Sequence, residues 1–308
     1  MIITAPTVAL AVRRLLTAAG QAPSVLNTQP WRFRVRDEVV ELLADWDRWL
    51  PVSDPRGRSL HVSCGAALYN LRIAARASGR RPVVRLLPDA PEASEVLARV
   101  DLSACEPATA EARRLYGMIP RRRTNRAPFD ARLVPPGVLA DLRTAAAVER
   151  ARLLLPNRRG ADDLLDYAAI AEEQLAADRA YLDELASWSL PGYVEGPRAI
   201  GEIDPVRDFG HRIGEARFEP GPQLAVLTTA GDEPLDWLRA GQALERVLLV
   251  ATAHGVSASF LNQPLDLRDM RRHADPRHRR GHPQMIIRLG YGPSVPRAPR
   301  RPVSEILA

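Results

Sequence analysis

Two stretches of this chain repeat the same spacing of small residues. Gly65, Ala67, Leu68, Ala75, Ala77 and Gly79 match Gly241, Ala243, Leu244, Ala251, Ala253 and Gly255. In the same alignment Leu71 meets Val247 and Ile73 meets Leu249. Small residues at helical spacing let a neighbouring helix approach closely. Two alanine-rich helices could match by chance through alanine alone, but glycines paired at both ends favour a duplication. A duplicated chain must fold as two related halves, and 308 residues are enough for two ordinary units or one large one.

The remaining pattern alternates helices and short strands. Residues 6–19 read as a helix stopped by Gly20, and Trp31–Arg36 with Val39–Leu43 as a hairpin turning at Asp37-Glu38. A helix is expected over 59–78, a strand over Val83–Leu87 and a helix over 107–117. Further helices are expected over 136–147, 160–187 and 234–254, and strands over Arg152–Leu155, Leu224–Thr229, Val256–Phe260 and Met285–Leu289. The segment 188–222 is rich in Pro and Gly and holds Trp188, Tyr193, Phe209 and Phe218. It is long for a structureless connection, and ordered loops of this kind often close over sites.

The basic residues restrict the chemistry. All 43 are arginine, so no lysine can form a Schiff base or fill a Walker A loop. Any anionic ligand must be held by Arg, His or backbone N–H groups, and Arg gives always-charged bidentate contacts. Two cysteines, Cys64 and Cys105, fit reduced thiols in a cytoplasmic protein better than a disulfide framework. The N-terminus carries its positive charge after its apolar stretch, the reverse of a secretory leader, and no run is long enough for a membrane helix. His273, His278 and His282 cluster, but Gly281 and Pro283 break any helix aligning them, so no metal set is read. No dinucleotide fingerprint and no hydrolase nucleophile elbow occurs. A nucleic-acid role is not expected either, because 37 acidic residues nearly balance the basic ones and no binding motif appears.

Two motifs carry a more specific signal. The first is Ala22-Pro-Ser-Val-Leu-Asn-Thr-Gln-Pro-Trp31 and the second is Arg122-Arg-Thr-Asn-Arg126. Together with Gly241–Gly255 and a C-terminal Leu289-Gly-Tyr-Gly before Arg297, Arg300 and Arg301, they resemble the nitroreductase superfamily. Ordinary members are homodimers with the arginine motif first and the Ala-Pro-Ser loop later. Here the order is reversed, which is similar to the Acg-type group of actinobacteria, whose members hold FMN under a lid. The resemblance implies two subunits fused into one chain, residues 1–117 keeping the loop and 118–308 keeping the arginine motif, lid and tail. The implied fold is α+β, a mixed sheet flanked by helices with the half-repeats forming an intrachain pseudo-dimer, and the chain is expected to be a monomer.

The resemblance also implies one FMN site. Arg122, Arg123, Thr124 and Arg126 would grip phosphate and ribityl oxygens, with Arg300 and Arg297 from the tail. Pro23, Ser24 and Asn27 would meet the ring edge or ribityl chain. Ser259, Phe260 and Asn262 fall near flavin N5, where family members often carry Pro and Glu. The implied activity is hydride transfer from NAD(P)H through FMN to a small organic acceptor, and the alternative is an FMN-sequestering protein with little turnover. No titratable residue stands out as a catalytic acid.

Overall fold

The computed structural model describes residues 10–88, 95–188, 197–199, 214–267 and 281–308. The chain opens with α1 (Leu10–Ala19) and the hairpin of β1 (Trp31–Arg36) and β2 (Val39–Ala44), which turns at Asp37 with φ of 52°. Next come α2 (Arg58–Ala77), β3 (Val83–Leu86), β4 (Val96–Asp101) and α3 (Ala110–Met118). These four strands pair antiparallel in the order β1-β2-β4-β3.

The later chain repeats the plan. After α4 (Pro136–Val148) and β5 (Arg152–Leu154) it makes an excursion through α5 (Arg158–Ala177), α6 (Arg179–Ser187) and a short pair, β6 (Arg198–Ala199) with β7 (Glu215–Ala216). It then forms β8 (Gln223–Thr229), α7 (Pro234–Ala253), β9 (Ser257–Phe260), α8 (Gln263–Asp266), β10 (His282–Gly290) and α9 (Val303–Ile306). The second sheet runs β5-β8-β10-β9, again antiparallel. Each sheet therefore joins its first, second, fourth and third strands, with the long helix between the second and third. The α+β architecture is two half-repeats packed as an intrachain pseudo-dimer.

The two long helices end alike. Gly79 and Gly255 take φ of 81° and 71°, which costs glycine little. Arg80 N donates to Ala75 O at 3.0 Å, and Val256 N donates to Ala251 O at 2.9 Å, the same closing bond at matched positions. The helices also pack on each other through their first matched glycines. A Cβ on Gly241 would lie 2.0 Å from Val62 O and 2.8 Å from Gly65 Cα, and one on Gly65 would lie 2.3 Å from Leu238 O. One apolar core runs through this contact, from Leu16, Trp31 and Leu68 in the first half to Leu142, Val247 and Ile287 in the second.

Several details differ from the sequence expectations, among them the short helices α8 and α9. The single helix over 160–187 is two, because Asp178 leaves helical geometry and its side chain accepts bonds from Ala180 N and Tyr181 N, capping α6. β4 was not expected; its central Arg99 is accommodated by a 2.8 Å bond to Glu41 directly across on β2. Arg99 and then Arg34 hold the Glu41 carboxyl below its usual range. The brief β6–β7 pair was also not expected. Residues 6–9 of the first expected helix lie outside the described residues.

The glycine contact gives a direct test. Gly241→Ala should destabilise the protein by about 1–3 kcal/mol or more, because the new methyl meets backbone that cannot swing aside. Gly117→Ala, where an added Cβ meets nothing within 4 Å, should gain up to about 1 kcal/mol from helix propensity. Urea melts of the two variants check the opposite signs.

Candidate functional site

The Ala22–Trp31 loop is held in an unusual backbone shape. Leu26, Asn27 and Gln29 take φ of 47°, 54° and 51°, a left-handed region costly for residues other than glycine. Ser24 Oγ accepts a bond from Gln29 N at 2.9 Å within the loop. The C-terminal tail supplies the rest of the support. Asn27 Nδ2 donates to Pro299 O at 3.1 Å, and its Oδ1 accepts from Arg300 Nη1 at 2.7 Å. Arg301 N donates to Gln29 Oε1 at 2.8 Å, while its guanidinium reaches Asp45 at 3.0 Å. Beyond α9, Ala308 N donates to Phe33 O at 2.9 Å, tying the chain end to β1.

The arginine segment is fixed against the other sheet. Thr124 bridges in parallel to Ala258 of β9, and Asn125 N donates to Ala258 O at 2.8 Å. The buried Asn125 amide adds bonds to Ser257 Oγ at 3.2 Å and Pro293 O at 2.8 Å. Asn125 is thus the anchor, and its neighbours are left to line a cavity.

That cavity has an empty volume, open mouth included, of about 1370 Å³. Pro23, Ser24 and Asn27 form one wall, and Arg122, Arg123, Thr124 and Arg126 another. Phe260, Asn262, Arg297 and Arg300 also line it, with Arg297 exposed at the rim. Among the described residues the five arginines face a single lining carboxylate, Asp266, which is itself paired with Arg58 at 3.2 Å. The site is therefore built for an anion. Asn262 is tied to β10, donating to Met285 Sδ at 3.3 Å and accepting from Ile286 N at 2.9 Å.

Ser259 is not among the described residues that line the cavity; it is fully buried and its hydroxyl accepts from Arg288 Nη1 at 3.4 Å. Successive strand residues face opposite sides, so Phe260 lining the cavity turns Ser259 away. Arg288 belongs to a separate buried cluster, bonded to Glu219 at 2.6 and 2.7 Å and lying 3.7 Å over the Phe129 ring. The segment expected as a lid is only partly described. Trp188 lines the cavity and Phe218 packs towards Arg288, 5.1 Å from its guanidinium. Tyr193 and Phe209 lie outside the described residues, as do His273 and His278; His282 is exposed at the start of β10.

Several lining groups carry no sequence signal of their own. Leu185, one turn before Trp188, covers the cavity from the end of α6. Glu184 fastens that helix, accepting from Val52 N and Ser53 N at 2.9 Å each, and Arg48 lies 5.1 Å over the Trp188 ring. Behind the arginines, Glu245 of α7 is fully buried 3.7 Å from Arg122 Nε. Burial pushes its carboxyl up to about 7, against the pull of Arg122, the Asn70 amide and Arg300. Arg122 donates to Gln21 O at 3.5 Å.

Among the described residues no helix is long and apolar enough to cross a membrane. The nitroreductase family profile matches residues 119–291, more than half of the chain. A Mycobacterium tuberculosis protein with the provisional name NAD(P)H nitroreductase Rv3131 is 35% identical, over 96% of this chain and 90% of its own. Another from the same organism, provisionally named NAD(P)H nitroreductase acg, is 29% identical over 96% of this chain and 94% of its own. A solved nitroreductase-type structure from Anabaena variabilis aligns with 92% of this chain and 88% of its own, at 12% identity and a TM-score of 0.47. With its duplicated fold, its matching profile and a 35% identical relative aligned over nearly its whole length, this chain belongs to the nitroreductase family.

Proposed function

We propose that this chain is an FMN-dependent oxidoreductase of the nitroreductase type, using NAD(P)H as reductant and a small organic molecule as acceptor. One observation carries the reading: Ser24 and Asn27 from the early loop line the same cavity as Arg122, Arg126 and Arg300 from the later chain. The provisional names of both mycobacterial relatives point to the same class of reaction.

The residues fit FMN. Its phosphate is a dianion, and the buried Arg122 has Nε and Nη1 with no hydrogen-bond partner among the described residues. An anion at the arginine wall would satisfy such donors with charge-assisted bonds. Arg123, Thr124, Arg126 and Arg300 would complete that grip, with Arg297 at the mouth. Pro23, Ser24 and Asn27 would border the ribityl chain and ring edge. Leu185, Trp188, Phe260 and Met285 give the cavity an apolar surface suited to a flat ring and to excluding water. Bound FMN supplies the hydride chemistry, and the protein orients it and limits access.

One feature favours the second reading, FMN sequestration. The Glu184 bonds to Val52 and Ser53 hold the end of α6 across the cavity, restricting what can reach a bound ring. Rapid mixing with NADPH under anaerobic conditions separates the two readings. An oxidoreductase loses its visible flavin band within turnover time, whereas a sequestering protein stays yellow.

The phosphate grip is tested by Arg122→Ala with Arg126→Ala. Each charged contact contributes about 1.5–3 kcal/mol, so the double variant should bind FMN roughly 10²–10⁴-fold more weakly. The expected outcome is a folded, colourless protein by circular dichroism and absorbance. A variant purified with undiminished flavin would remove these arginines from the site.

A further inference from the structure

Behind the cavity lies a polar group of three, buried where the two halves meet. Glu245 and Asn70 are fully buried, and Arg122 is 5% exposed. Neither Glu245 oxygen nor either polar atom of the Asn70 amide has a hydrogen bond of full geometry among the described residues, although the Asn70 amide is close enough to pull the Glu245 carboxyl down. The Arg122–Glu245 contact, at 3.7 Å, is an ion pair without a hydrogen bond. A buried carboxylate held this loosely is poorly compensated for its lost hydration.

The repeat supplies an internal contrast. The repeat relates Glu245 and Asn70 to Tyr69 and Arg246. There the buried acid is Glu149, and it is fully engaged: Arg72 bonds it at 2.6 Å and Arg246 at 3.3 Å. Arg246 also reaches Glu111 at 2.7 Å, so it faces away from its neighbour Glu245. Among the described residues the charged groups acting on Glu245 are therefore Arg122, from the segment after α3, and Arg300, from the tail, while α2 presents the neutral Asn70. Both cations line the cavity. An anion drawn to them competes with Glu245 for the same positive charge and adds like-charge repulsion.

We infer that Glu245 is a positioning residue acting through Arg122, and that seating the FMN phosphate on this arginine is accompanied by uptake of a solvent proton at the Glu245 carboxylate. This rests on the FMN reading above. In the absence of phosphate the carboxyl titrates near neutrality, at about 7, so at pH 8 it is mostly charged and able to accept the proton. Proton uptake on binding means that affinity falls as pH rises above that value, by up to about tenfold per pH unit. Free FMN is a dianion throughout this range, its second phosphate pKa lying near 6, so its own titration does not interfere.

The test follows flavin release from the holoprotein by fluorescence between pH 7 and 9, for the wild type and Glu245→Gln. The wild type should weaken by roughly 10- to 50-fold across the range, and the glutamine variant should be flat. A second measurement needs no variant. Calorimetry of FMN rebinding at pH 8, in Tris and in HEPES, should report on the order of 0.5–1 proton taken up per flavin, and riboflavin, which lacks the phosphate, should show none. Equal affinity from pH 7 to 9, no net proton uptake, or the same uptake with riboflavin overturns the proton link while leaving FMN binding intact. A wild-type protein that takes up no FMN at any pH overturns the FMN reading and this inference with it.

Discussion

The fold depends on a backbone contact between two helices. Gly65 and Gly241 let α2 and α7 approach until a methyl on either would strike the other helix's carbonyl. That closeness draws the two four-stranded sheets into one core, so that a loop from the early chain can face an arginine segment from the later one. A site shared between halves cannot form unless the halves are locked, and here the lock is the absence of two side chains.

Connectivity then makes the site asymmetric. The tail crosses to the first half, where Arg300 and Arg301 hold Asn27 and Gln29 in backbone geometry they would not otherwise keep. The arginine segment stays with the later half and is pinned to β9 by Asn125. At the position that the repeat relates to Glu245 and Asn70, Arg72 bonds Glu149 and Gln242, and Arg246 bonds Glu149. The two half-repeats thus enclose one arginine-walled cavity backed by a loosely held acid and, at the related position, an ionic network.

What was legible in the sequence follows from how local its cause is. Helices α2 and α7 were readable because glycines at both ends and alanines along one face are local signals, and the paired loop and arginine motifs located the cavity. That the Ser259 side chain faces away from the cavity was not legible, because strand parity decides which residue faces inward and composition does not reveal the register of so short a strand. β4 was hidden by Arg99, whose partner Glu41 lies on another strand. The break at Asp178 is a local capping signal inside a long amphipathic run, which masked it. Glu245 resembles any helical glutamate until the fold brings Arg122 beside it.

The central claim is that both halves of one chain build a single flavin site. Native mass spectrometry of the protein as purified tests it most directly. The account predicts a dominant species of one chain carrying one FMN. Two flavins per chain, or flavin retained only in a species of two chains, would contradict it.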